Sequence, residues 1–236
     1  MKLIDMHCDT LMKLLEQPEK SLAELDAEVN LPGLKQAGSM AQFFACFTNL
    51  MDYPQPPERA YDEAYWTVLR MIERMKEEIE KAPQELALAT SAQEILDNDA
   101  AGKISAFLTV EEGGILNGRM ERLHDLYDQG IRLITLTWNY ENCLGYPNSA
   151  DPQVMGKGLK SFGVEVVEEM NRIGMLVDVS HLSDGGFWDV VRHSKKPFVA
   201  SHSCVRDLCG HTRNLNKEML KAVGEKGGAI GVNFYG

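Results

Sequence analysis

The chain has 236 residues, 44% hydrophobic and 25% charged, an ordinary globular balance with enough length for a full core. Its formal net charge of -11 disfavours nucleic acid and anionic membrane surfaces as partners. Five cysteines (Cys8, Cys46, Cys143, Cys204 and Cys209) form no CxxC pair, so neither a disulfide framework nor a thiolate zinc site is expected.

Short apolar runs alternate with helical patterns along the whole chain, the signature of βα units around a parallel sheet. A first strand is expected over 2–6 and a helix over 10–16. Asp5 and His7 interrupt the opening apolar stretch, so no signal peptide is read, and a cytoplasmic location is the expectation. No apolar run approaches the roughly 20 residues of a membrane span. The second strand covers 40–48, followed by a Pro-rich loop over 53–57. A long helix over 58–81 places Val68, Met71, Ile72, Met75 and Ile79 at helical spacing.

A short capped helix follows over 91–97, then a strand over 104–110 and a helix over 119–129 that stops at Gly130. The fourth strand, 132–137, leads into a long loop over 138–157. Helix 161–173 ends at Gly174, strand 175–179 follows, and then helix 186–193. Strand 198–201, helix 217–225 and strand 229–234 complete the pattern. Seven strands in βα order, read as one domain over 1–236, predict an α/β (β/α)8 TIM-type barrel that lacks its eighth unit.

Chemistry gathers at the strand ends, where barrels of this type carry their sites. His7 and Asp9 lie two apart after the first strand and point to one face, half of a metal site, while Cys8 points into packing. The alternative for Asp9 and Thr10 is helix capping. Glu111-Glu112-Gly113-Gly114 ends the third strand, with carboxylates able to bridge metals and glycines that permit a tight turn or close approach; the alternative, favoured when the segment is taken alone, is a polar strand end before a turn. Asp178-Val179-Ser180-His181 and Ala200-Ser201-His202-Ser203 end the fifth and sixth strands. A lone strand-end histidine is usually structural, but this combination points to a metal site. His124 falls mid-helix on a charged face, and His193 near a helix end, where a cation is favourable. The loop Gly210-His211-Thr212-Arg213-Asn214 sits on the same side, where Arg213 suits a substrate carboxylate or a surface ion pair.

The segments IDMHCD, TVEEGG, LTLTWN, LVDVSHLS, ASHS, HTRNL and GVNFY, taken in order, resemble the membrane (renal) dipeptidase family of zinc peptidases. The resemblance implies an amidohydrolase-like barrel holding two zinc ions and cleaving dipeptides. His7 and Asp9 would bind the first zinc, Glu111 would bridge, and His181 and His202 would bind the second. Glu111 is taken over Glu112 because it follows Val110 directly. Arg213 would hold the substrate, and a homodimer is implied. Two departures stand out: relatives carry a histidine after LTLT where this chain reads Trp138-Asn139-Tyr140, with Tyr140 as a substitute donor. The family's eighth-strand Asp, which handles the catalytic proton, has no counterpart in this chain. Two other readings stay open: an amidohydrolase acting on lactones, cyclic amides or phosphoesters, and a catalytically incomplete metal-binding fragment. The HxD motif and the lack of a lysine at the end of strand four favour the dipeptidase.

Overall fold

Cover on both faces explains why the runs over 41–46 and 104–111, buried at every residue, read as continuous apolar strands rather than alternating ones. The computed structural model describes residues 2–53 and 57–234, and the chain divides into two compact units. The centre of the Pro-rich loop (residues 54–56) and the final Tyr235 of GVNFY lie outside the described residues.

The first unit comprises Met1–Val110 and Gln129–Arg132. Strand β1 (Leu3–Asp5) runs into helix α1 (Thr10–Glu16), helix α2 (Leu31–Ala37) and strand β2 (Ser39–Phe47). Helix α3 (Pro57–Lys81), strand β3 (Leu86–Leu88), helix α4 (Ala92–Ala100) and strand β4 (Ile104–Glu111) follow. β1 pairs parallel with β2, Leu3 opposite Ser39 and Asp5 opposite Gln42, and β3 pairs parallel with β4. Phe43 stacks on Phe107 at 4.3 Å between ring centroids. Val68, Met71, Ile72 and Met75 of α3 are buried, as their helical spacing predicts.

The second unit comprises Glu111–Asp128 and Leu133–Gly236, so it begins on the last residue of β4. Helix α5 (Met120–Asp128), strand β5 (Leu133–Thr135), helix α6 (Pro152–Met155), helix α7 (Ser161–Ile173) and strand β6 (Leu176–Asp178) come first. Helix α8 (Asp184–His193), strand β7 (Val199–Ala200), helix α9 (Lys217–Glu225) and strand β8 (Ala229–Ile230) complete it. β5, β6, β7 and β8 pair in that order, all parallel, with Leu133 opposite Leu176, Asp178 opposite Val199 and Val199 opposite Ala229. Parallel βα units therefore build both halves, and the fold class is the expected mixed α/β type of a partial TIM barrel.

All seven expected strands are present among the described residues, and β3 is an addition. Its three residues, Leu-Ala-Leu, are too short to show a period. α2 also escapes a pattern reading, because Pro32 and Gly33 argue against a helix. Asn30 offsets this by accepting the Gly33 N–H at 2.8 Å, and proline is tolerated in the first turn. The four-residue α6, capped by Asp151, lies inside the stretch read as loop. Some ladders stop before their apolar runs do. Trp138 N–H, beyond β5, donates to the Glu112 carboxylate, and Ser180 N–H, beyond β6, donates to Asp178 Oδ1. Among the described residues no helix is long and apolar enough to cross a membrane.

Candidate metal centre

In the first unit, backbone pairing continues past β1, since Cys8 N–H donates to Phe43 O and Ala45 N–H donates to Cys8 O. The strand alternation therefore persists, and Cys8 is buried. His7 and Asp9 face each other, Nε2 to Oδ1 at 3.4 Å. Asp9 occupies the N-cap position of α1, yet its side chain makes no capping hydrogen bond. The carboxylate thus serves the histidine side rather than the helix.

In the second unit, three further expected ligands converge. Glu111 is buried, and its Oε1 lies 3.1 Å from His181 Nε2 and 3.3 Å from His202 Nε2. The two imidazole Nε2 atoms are 3.0 Å apart. The other ring nitrogens decide what this cluster can be. His181 Nδ1 meets Asn139 Oδ1 at 2.9 Å, an acceptor, so Nδ1 carries the proton. His202 Nδ1 meets Ser201 Oγ at 2.7 Å, and that hydroxyl donates to Asp178 Oδ2 at 2.5 Å. With its single proton on Asp178, Ser201 must accept from His202 Nδ1–H. Both Nε2 atoms then present lone pairs, to each other and to a carboxylate oxygen. Such a set repels itself without a cation, and imidazole plus carboxylate donors suit zinc or a similar ion.

The electrostatics agree. Burial pushes the His181 imidazole down to about 4, with Arg213 and His202 adding to the shift and Glu111 opposing it, so the ring is neutral at pH 7. Burial works to raise Asp178, but the neighbouring His202 ring and hydrogen bonds from Ser201 and Ser180 outweigh it and hold the carboxyl below its ordinary range. Thr135 Oγ1 also donates to Asp178 Oδ2 at 2.7 Å. Orientation of a ligand imidazole by an outer carboxylate is the usual support of a metal site.

His181 sits at a φ of 66°, in the left-handed region. Asn148 holds its carbonyl with the backbone N–H at 2.7 Å and Nδ2 at 3.2 Å. Strain of this kind persists where the surroundings over-determine it. Arg213 donates through Nη1 to Ser203 Oγ at 2.6 Å and through Nη2 to His202 O at 2.8 Å. Burial pulls its guanidinium down to about 10, still charged at neutral pH. Tyr140 stands edge-on to Trp138 at 5.7 Å, and Trp138 lies 6.4 Å from the His181 ring. Of the remaining histidines, His124 pairs with Glu169, His193 Nδ1 lies 3.5 Å from Glu168 Oε1, and His211 Nδ1 accepts the Arg213 N–H.

Glu112 differs from its neighbour. It is fully buried at a φ of 84° and accepts from Gly114 N–H, Asn142 Nδ2 and Trp138 N–H. Burial pushes its carboxyl up to about 7, against those three hydrogen bonds. The glycines after it serve close approach within the chain, since a Cβ on Gly114 would stand 2.2 Å from Glu112 Oε1. Sequence reasoning did not assign Asn139, Ser201, Asp178 or Arg206. Arg206 grips Asp184 with two bonds of 2.7 and 2.8 Å and donates to Asn214 O, which anchors the loop that carries Arg213.

The sequence model of the membrane dipeptidase family, peptidase family M19, matches residues 1–236. An uncharacterized dipeptidase of Schizosaccharomyces pombe is 30% identical over 99% of this chain and 59% of its own length. An uncharacterized protein of Klebsiella pneumoniae is 34% identical over 72% of this chain and 62% of its own. The chain thus spans about three fifths of the length of these curated relatives. Among solved structures, a Rhodobacter sphaeroides metallo peptidase liganded with a phosphinate mimic of the dipeptide L-Ala-D-Ala superposes with a TM-score of 0.86. It is 25% identical, over 99% of this chain and 74% of that one. A second structure, of a dipeptidase from family M19, gives a TM-score of 0.86 at 27% identity, over 99% of this chain and 72% of that one.

Proposed function

The chain belongs to the membrane dipeptidase family, peptidase family M19, and from that premise we propose that its protein is a zinc-dependent dipeptidase. One observation carries the reading: Glu111 Oε1, His181 Nε2 and His202 Nε2 converge within 3.0–3.3 Å with both Nδ1 atoms engaged elsewhere. In this reading His7 and Asp9 would hold one zinc, His181 and His202 would hold the other, and Glu111 would serve both. Bound zinc would supply Lewis acidity toward a scissile carbonyl and lower the pKa of a water toward roughly 7.

The chain's own residues perform the rest. Asn139 and the Asp178–Ser201 pair fix the two imidazoles in the tautomer that leaves Nε2 unprotonated. Arg213, its plane set by Ser203 and His202, receives the terminal carboxylate of a dipeptide and so selects short substrates. Trp138 and Tyr140 form an aromatic wall beside His181, and we assign Tyr140 to substrate contact. The Rhodobacter protein's dipeptide mimic fits the same substrate class. A cytoplasmic homodimer is the setting that accompanies this reading.

The test uses the full-length protein, zinc counted by elemental mass spectrometry and hydrolysis followed on a dipeptide panel. About two zinc per chain are expected, with His181→Ala or His202→Ala losing about one ion and most activity. Full metal content and full activity in both variants would sink the assignment. Ser201→Ala breaks the link between Asp178 and His202 without touching a ligand. Zinc affinity or activity should fall about 10- to 100-fold. An unchanged zinc titration and unchanged kinetics would show that the hydroxyl orients nothing that matters.

A further inference from the structure

The second carboxylate of the Glu111-Glu112 pair has no part in the ligand set above, yet it is the more completely buried of the two. Its two oxygens are divided between the ends of one loop. Oε2 accepts the Trp138 N–H at 2.8 Å, while Oε1 accepts Asn142 Nδ2 at 2.6 Å and Gly114 N–H at 2.7 Å. Asn142 then carries the far end of the loop. Its Nδ2 also donates to Leu136 O, and its Oδ1 accepts Leu144 N–H and Gly145 N–H. Between the two anchors lies Asn139, whose Oδ1 accepts from His181 Nδ1.

We infer that Glu112 is a positioning residue: it sets the 138–142 loop and, through Asn139, the orientation of His181. Three donors converge on it, so both oxygens must accept, which a carboxylate does and an amide cannot. The left-handed backbone at Glu112 points the same way. Such a conformation in a residue with a long side chain persists where its contacts over-determine it. The role rests on the metallo-dipeptidase reading insofar as it concerns catalysis, whereas the loop geometry can be tested without it.

Glu112→Gln is nearly isosteric. With the amide oxygen facing Gly114 and Asn142, its NH2 must face the Trp138 N–H, donor against donor. The experiment combines Glu112→Gln, Asn139→Ala and the double variant in the full-length protein. Trp138 emission is read in a background where every other tryptophan is phenylalanine, and circular dichroism checks folding. At saturating zinc, Glu112→Gln should keep the wild-type metal content, while Glu111→Gln loses metal. The Trp138 emission should shift to the red. kcat/KM should fall about 10- to 100-fold, and Asn139→Ala should add little to it, because both changes break one linkage.

Unshifted emission, effects that multiply in the double variant, or zinc loss matching Glu111→Gln would each overturn the inference. If Glu112→Gln does not fold, Glu112→Asp replaces it in the same cycle, since it keeps the charge but withdraws it by one methylene. A wild-type protein that neither binds zinc nor cleaves dipeptides would remove the proposed function. The Trp138 emission would then decide the loop role alone, a red shift sustaining it and no shift ending it.

Discussion

Arg213→Met is expected to lower kcat/KM for dipeptides by at least about thirtyfold, the equivalent of about 2 kcal/mol for an unpaired charge in a buried site. The guanidinium is mostly buried, and contacts to Ser203 Oγ and His202 O fix it in place. Because one contact is the backbone of His202, removal could also disturb the histidine. Comparing free-acid dipeptides with their C-terminal amides separates the two effects. Wild-type protein should favour the free acid strongly, and Arg213→Met should lose that preference. A variant that slows both substrates equally and keeps the preference would show that Arg213 supports the site without recognising a carboxylate. Arg213→Lys should restore only part, because an ammonium lacks the two-pronged geometry.

The second large effect lies far from chemistry. Arg74 and Glu78 are both buried on α3, paired Nε to Oε1 at 3.0 Å. Arg74 donates to the carbonyls of Leu14, Pro18 and Lys20, while Glu78 Oε2 accepts the Leu22 N–H at 2.6 Å. One ion pair therefore satisfies three carbonyls and one N–H of the segment after α1. Arg74→Ala should destabilise the protein by about 3–5 kcal/mol, because it leaves three backbone carbonyls without their donor and the buried Glu78 carboxylate with only Lys81 Nζ and the Leu22 N–H as partners. That corresponds to a Tm lower by about 6–20 °C for a chain of this size. The double variant Arg74→Leu/Glu78→Leu should not recover fully, since three carbonyls and an N–H would still lack partners. A thermal midpoint within about 2 °C of wild type for Arg74→Ala would contradict this account.

The proposed ligand histidines were legible in the sequence because each ends an apolar run that reads as a buried strand. His181 after LVDVS and His202 after FVAS needed no three-dimensional information. Their supports were not legible. Asp178 reaches Ser201 because β6 pairs with β7 so that Asp178 stands opposite Val199, a register that local pattern does not encode. Asn139 reads as one more polar loop residue until the loop closes on His181. Glu111 and Glu112 look equivalent as letters, and the left-handed backbone at Glu112 sends the two carboxylates to different tasks. On the fold side, α2 hid behind its own Pro32 and Gly33, and β3 behind its brevity. The Arg74 anchor was unreadable for a different reason, since apart from Glu78 its partners are carbonyls that carry no side-chain signature.

The left-handed backbone at His181 has a consequence for how this position can change over time. Glycine would suit that backbone better than any other residue, so the change most favourable to the fold is one that deletes a proposed ligand. Selection for thermal robustness and selection for catalysis thus pull residue 181 in opposite directions. A lineage freed from the need for activity would be expected to drift there first, and a glycine after the LVDVS segment would mark descendants that kept the fold and gave up the proposed reaction.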